Sequence, residues 1–315
     1  MRRAIFLLVA LLVVAACASS AEPRERPAPK PRSFLDPFPP GSLWNTPLPR
    51  RPTIDPRSGE KISYWLTQIR YPNVALRAYA TAIAVATPDS PKHRIRCTRY
   101  PCPNIHRYGR VPIPGGTRAD PSPDGHLAIW DPVNRREWDF WISRCPDDCS
   151  SAGSGGAFST KTLVPNVRHG ANAAGVPLLA GILHPEEIAA RRIRHPLIFA
   201  SPNVGRGHVC PARRNDGDNP DPRALREGTL LQLDPRIRVA TLPLPDWQKT
   251  IARALQVYGM YLVDEGGTLS IGAENTINRG DVWGQVGLYG DSVLFDAAFP
   301  WGSMRVLKPR TRWCK

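Results

Sequence analysis

The residues best suited to chemistry lie between Gly125 and Trp141. Gly125-His126-Leu127-Ala128-Ile129-Trp130-Asp131 reads as a strand and Pro132-Val133-Asn134-Arg135 as a four-residue turn. Arg136-Glu137-Trp138-Asp139-Phe140-Trp141 reads as the returning strand. Side chains alternate across a strand. A hairpin closed at that turn therefore sets Trp130 opposite Glu137, Ala128 opposite Asp139 and His126 opposite Trp141. Leu127, Ile129, Trp138 and Phe140 share the other face, which has the composition of a core. The first face gathers an imidazole, two carboxylates and two indoles around the small Ala128. Indoles stack on sugar rings, and carboxylates accept hydrogen bonds from hydroxyls. Asp139 and Glu137 are the expected acid–base pair of a glycoside hydrolase. His126 would orient or shuttle protons, and Trp130 and Trp141 would form the sugar platform. The competing reading is a structural face made of cross-strand pairs.

Other polar residues carry weaker signals. His169, in Arg168-His169-Gly170-Ala171-Asn172 after the glycine-rich Ser154-Gly155-Gly156, is expected either to line a substrate cleft or to cap a neighbouring helix. Arg213 is suited to bidentate pairing with an acidic group on a substrate. His195 follows a helix directly and is expected to place charge at its C-terminus. Asn215-Asp216-Gly217-Asp218-Asn219-Pro220-Asp221 alternates acids as a calcium loop does, but lacks the closing glutamate of the hand motif, so a polar turn is expected. No pair of cysteines has the spacing of a zinc site. GxSxG, HExxH and GxxxxGK[ST] are all absent, which argues against a serine hydrolase, a zincin or a P-loop enzyme. The expectation is no metal and no cofactor.

Several further motifs share a pattern. They are Trp44-Asn45-Thr46-Pro47, Asp124 to Trp141, Gly175-Val176-Pro177-Leu178-Leu179-Ala180-Gly181, Arg194-His195-Pro196-Leu197, Pro211-Ala212-Arg213, and Tyr258-Gly259-Met260 followed by Asp264. Over roughly residues 40 to 295 the chain resembles a family of secreted, mostly actinobacterial proteins with no established activity. The resemblance implies one exported domain and carries no mechanism. It places His126, Asp131, Asp139, His195, Arg213 and Asp264 at recurrent polar positions. Where that family often has a tryptophan before Pro-Ala-Arg, this chain has Cys210.

The scaffold for these residues is expected to be short strands and loops. The chain has 35 prolines and 25 glycines spread along its length, and such frequent breaks disfavour long helices. Two helices stand out. One runs from Pro185 to about Arg194, with Pro185 at its first position, Glu186 and Glu187 in its first turn, and a Leu183–Ile188 staple. The other runs from about Asp246 to Tyr258, where Trp247, Ile251, Leu255 and Tyr258 recur at helical spacing and Gly259 ends it. Leu230–Leu233, Met260–Val263 and Leu269–Ile271 read as strands. The expected fold over 34–315 is a single mainly β domain, of β-sandwich or jelly-roll type, with two packed α-helices.

Arg2 and Arg3 precede an apolar run to Ala16 that is too short to span a bilayer, so residues 1–16 read as a signal peptide. Val14-Ala15-Ala16-Cys17 resembles a bacterial lipobox, which makes Cys17 the expected lipidation site and anchors the chain to a membrane from outside the cell. Residues 17–33 carry the lipidated cysteine and a proline-rich, disordered tether. Beyond Cys17 there are six cysteines, and an even count in an exported chain reads as three disulfides. Cys97–Cys102 and Cys145–Cys149 are close enough to be local staples, leaving Cys210–Cys314 to tie the C-terminus down. The net charge is +15, or +13 once Arg2 and Arg3 leave with the leader. Such a charge favours acidic partners at a cell surface; nucleic acid does not fit the address. The leading expectation is a surface glycoside hydrolase acting on a cell-wall or extracellular polysaccharide. The alternatives are a lyase on an acidic glycan and a non-catalytic cell-wall-binding lipoprotein.

Overall fold

Two mixed sheets pack against each other, and each has its outer face covered. A computed structural model describes residues 33–163 and 169–314. The leader, Cys17 and all of the tether but Ser33 lie outside the described residues. The larger sheet has seven strands in the order Ser292–Leu294, Asn73–Ala75, Ser270–Ile271, Leu197–Ser201, Met260–Glu265, Leu230–Leu233 and Met304–Leu307. The smaller has five, in the order Glu274–Asn275, Thr81–Val85, Leu127–Asp131, Arg136–Trp141 and Ser154–Ser159. Parallel pairs run through both, for example Leu197–Ser201 with Met260–Glu265 and Thr81–Val85 with Leu127–Asp131. The fold is thus mainly β and layered as a sandwich, without the all-antiparallel pairing of a jelly roll.

Three apolar clusters explain the layering. Ile83, Ala128 and Trp130 of the small sheet meet Ile198, Leu230, Tyr261 and Val263 of the large one, with Leu178, Leu179 and Ile182 between them. Leu127, Ile129, Trp138 and Phe140 pack outward against Ile95, Ile105, Val111 and Ile113. The far side of the large sheet is covered by helices Ser58–Gln68 and Asp246–Val257 through Ile62, Trp65, Ile251 and Leu255. The central strands are therefore buried on both faces, which their parallel neighbours require.

The expected hairpin forms in the expected register. Trp130 pairs with Glu137 and Ala128 with Asp139. Asp131 closes its turn by accepting from the Asn134 backbone at 3.0 Å and the Asn134 side chain at 2.7 Å.

The helices partly depart from expectation. The Asp246–Val257 helix is present. The one begun by Pro185 stops at Ala189, short of Arg194. Arg191 adopts φ 51°, and the Arg191 and Arg192 amides donate to the carbonyls of Ile188 and Glu187 at 3.0 and 2.9 Å. That is a left-handed helix stop made without the glycine that normally signals it. The eleven-residue Ser58–Gln68 helix was not anticipated, because it has no side-chain cap and a weak apolar stripe.

All three disulfides pair as expected: Cys97–Cys102, Cys145–Cys149 and Cys210–Cys314. They point to an oxidising, extracytoplasmic environment. Among the described residues no helix is long and apolar enough to cross a membrane.

Candidate functional site

The face expected to form an open groove is closed by the second sheet. Glu137 and Asp139 have 0% of their surface exposed, and Trp130 is buried in the core between the sheets. The covering segment, residues 169–182, crosses above them. Glu137 accepts a hydrogen bond from the Leu179 backbone at 2.9 Å. A Cβ on Gly156 would lie 2.4 Å from the His169 carbonyl and 2.7 Å from an Asp139 carboxylate oxygen, so glycine is what lets this segment come so close. Burial drives the Glu137 carboxyl well above its ordinary range, with help from Asp139. Burial likewise raises Asp139 to about 7, against the amides of Ala171, Gly156 and Leu178 and the Arg214 charge. These two acids sit beneath the segment, with no exposed surface. The sequence shows a polar face, but it does not show that a second sheet lies on it.

An open cavity of about 670 Å³ lies next to this core, between the edges of the two sheets. Its lining includes Asp124, His126, Asn172, Asp264, Glu265 and Tyr79. His126 and Asp124 enter just ahead of the Leu127–Asp131 strand, at a turn where Gly125 has φ 47°. The Trp141 indole N–H donates to Asp124 at 3.1 Å, and Trp141 stacks on Tyr100 with centroids 6.1 Å apart. Trp141 therefore supports a cavity carboxylate and is not itself part of the lining. Burial lowers the pKa of His126, against the charges of Asp124 and Asp120, which favours the neutral imidazole.

Asp264 reaches the cavity through an irregularity in its strand. Phe199 pairs with Leu262 and Ala200 with Asp264, so the register skips Val263. Such a bulge re-aims side chains, and Val263, Asp264 and Glu265 in succession all line the cavity. Behind Asp264 stand Asp216 and Glu227, and the carboxyl groups of the three lie within 4.8 Å of one another. Glu227 is wholly buried, and the group facing its carboxyl is that of Asp216. Burial first, then Asp216 and Asp264, push Glu227 up to about 10. Burial, with Asp216 and Asp124, lifts Asp264 well above its usual range. Burial and the neighbouring acids thus favour the protonated forms of Glu227 and Asp264, and Asp264 lines the cavity.

The remaining expected residues are scattered. Arg213 does not line the cavity. The cation near the cluster is its neighbour Arg214, which donates to the carbonyls of Ala173 and Asn172 at 3.1 and 2.8 Å and whose charge reaches Glu227 and Asp139. His169 lies outside the cavity lining, on the covering segment. His195 does not meet the end of its helix as expected: it pairs with Glu187 in the first turn, which raises its pKa against burial. Its Nε2 pairs with Glu187 at 3.0 Å and its Nδ1 bonds the Pro196 carbonyl at 2.9 Å.

Among the described residues two groups have the donor set of a cation site, Asp216 with Glu227 and Asp264, and His184 with Glu186 and Glu274. The second is already neutralised by Arg279, which binds Glu274 at 2.7 Å and Glu186 at 2.6 Å. Asp264 was picked out in the sequence only as a recurrent polar position. Asp216 reads in the sequence only as part of a polar turn and Asp124 only as the start of a motif, while Glu227 and Tyr79 carry no signal there, because only the fold brings these distant positions together.

No protein-family model matches the chain, and no match is found among curated proteins or solved structures. The likeness to secreted actinobacterial proteins accordingly stands as a proposal.

Proposed function

We propose that the cavity is the active site of an exported glycoside hydrolase, held at the cell surface through a lipid on Cys17. One observation carries the reading. Asp264 is a carboxyl whose surroundings favour its protonated form, it lines a cavity of about 670 Å³, and Asp124 and His126 line the same space. Glycoside hydrolysis needs this asymmetry, with one carboxylic acid to protonate the leaving oxygen and one carboxylate to act as base or nucleophile. Asp264 is assigned the acid. Asp124, steadied by the Trp141 indole, is assigned the carboxylate. His126, as neutral imidazole, orients the attacking water or a ring hydroxyl. Glu137 and Asp139 lose the acid–base role, because no substrate can reach them.

The test is incubation of purified protein with a panel of polysaccharides. New reducing ends without ultraviolet absorbance support hydrolysis. Absorbing unsaturated ends would mean a lyase, and retention without cleavage a binding protein. Asp264→Asn is expected to lower turnover at least 100-fold, in the range general acid catalysis supplies, while binding persists. Full activity in that variant would rule the assignment out.

A further inference from the structure

We infer that the cavity receives an uncharged sugar ring stacked on Tyr79 and rejects acidic glycans; this rests on the glycan-processing reading above. Tyr79 lines the cavity, is 60% exposed and has φ 55°. A bulky residue in the left-handed region is strained, and an exposed aromatic ring gains nothing from burial there to offset the strain. The surroundings hold it in place. Buried Asp120 accepts from the backbones of Tyr79 and Ala80 at 3.2 and 3.3 Å and from Asn275 at 2.8 Å. Asn275 also donates to the Arg77 carbonyl at 2.9 Å, and the Leu76 and Arg77 amides donate to Asp291 at 2.8 and 3.0 Å. Tyr71 is also exposed with positive φ, but it does not line the cavity. Strain that persists this way marks a residue kept for what it contacts. An aromatic face at the mouth of a polar cavity fits the apolar C–H face of a sugar.

The charge of the cavity narrows the ligand. Asp124, Glu265 and Asp291 line it beside Asp264, and among the described residues no lysine or arginine does. The chain as a whole is +15, so this acidity is local. A uronate or phosphate entering the cavity would meet the carboxylates of Asp124, Glu265 and Asp291 with no cation of the described lining opposite them, which low-dielectric walls make costly. The acidic partner expected from the overall charge is therefore not the ligand of this site.

The experiment measures binding with Asp264→Asn, which separates affinity from turnover. The probes are neutral gluco-, manno-, galacto- and arabino-oligosaccharides and oligogalacturonate. At least one neutral oligosaccharide should bind, with oligogalacturonate at least tenfold weaker. Adding Tyr79→Ala or Tyr79→Gly should weaken the neutral ligand about tenfold or more, and Tyr79→Phe should hold it within about twofold, since the ring makes the contact. In the unbound protein Tyr79→Gly should raise the melting temperature by several degrees, because glycine relieves the strained φ. A residue with only a structural role would not combine higher stability with lost affinity. Tighter binding of oligogalacturonate, no neutral ligand bound, or affinity indifferent to Tyr79 would each overturn the inference. Tyr79-dependent binding without cleavage by the wild-type protein would sink the hydrolase reading and leave this one intact.

Discussion

Replacing Asp139 by asparagine should stabilise the protein above neutral pH and flatten its dependence on pH. Asp139 is wholly buried, and its carboxyl is raised from 3.8 to about 7. Between those values the folded chain holds a proton that the unfolded chain has released. Stability therefore falls as pH rises through this window, by about 1.4 kcal/mol per pH unit. Over a little more than three units the loss approaches roughly 4 kcal/mol, complete near pH 7. Asparagine has no proton to lose. Its amide turns one N–H pair toward the Gly156, Ala171 and Leu178 amides, which costs about 1 kcal/mol. The net expectation is a variant about 3 kcal/mol more stable than wild type at pH 8 and slightly less stable near pH 4. Urea unfolding of both proteins across that range measures the difference. Two curves that run parallel would show that Asp139 does not titrate in the folded state, and the account of the buried acids would then be wrong.

Three further outcomes follow from the packing. His195 has a raised pKa and Glu187 a lowered one, each burdened by burial and held by the other. Their pair contributes fully between roughly pH 4.5 and 6.5. It fades as rising pH passes the folded value of His195, and again as acid passes that of Glu187. His195→Gln should lose about 2 kcal/mol near pH 6 and much less near pH 9, read by thermal melts. Replacing both Cys210 and Cys314 with serine opens a link across 104 residues, and should cost about 2–5 kcal/mol in denaturant unfolding. Gly156→Ala forces a methyl into the His169 carbonyl and Asp139, and should cost about 3 kcal/mol or more, or abolish soluble expression.

The sequence was most legible where physics is local. Alternation predicts the register of the hairpin from Leu127 to Phe140, though the strand starts at Leu127 rather than Gly125 and the expected His126–Trp141 pair is not in the ladder, and cysteine spacing predicts all three disulfides. The mainly β class followed from how often proline and glycine break the chain. The site was much less legible. Alternation says which side chains share a face, but not what covers that face. Trp130, Glu137 and Asp139 share one and are closed over by the Leu178–Ile182 segment and the larger sheet. Asp264 depends on a register skip at Val263 that leaves no sequence signature. Asp216 and Glu227 join it from a loop and a two-residue strand. The Ser58–Gln68 helix was hidden for a related reason: its stability comes from burying Ile62 and Trp65, and its end lacks a capping side chain.

The final strand, Met304–Leu307, lies at the rim of the larger sheet, where an open backbone would invite pairing with a neighbouring molecule. Here the rim is occupied. Asp55 and Ser58 bond Val306 at 2.9 and 2.8 Å, Lys308 bonds Thr53 at 2.9 Å, and Leu307 bridges Ile54. The Cys210–Cys314 link then secures the tail that follows. A like molecule crowding alongside this rim would find the backbone from Val306 to Lys308 already engaged.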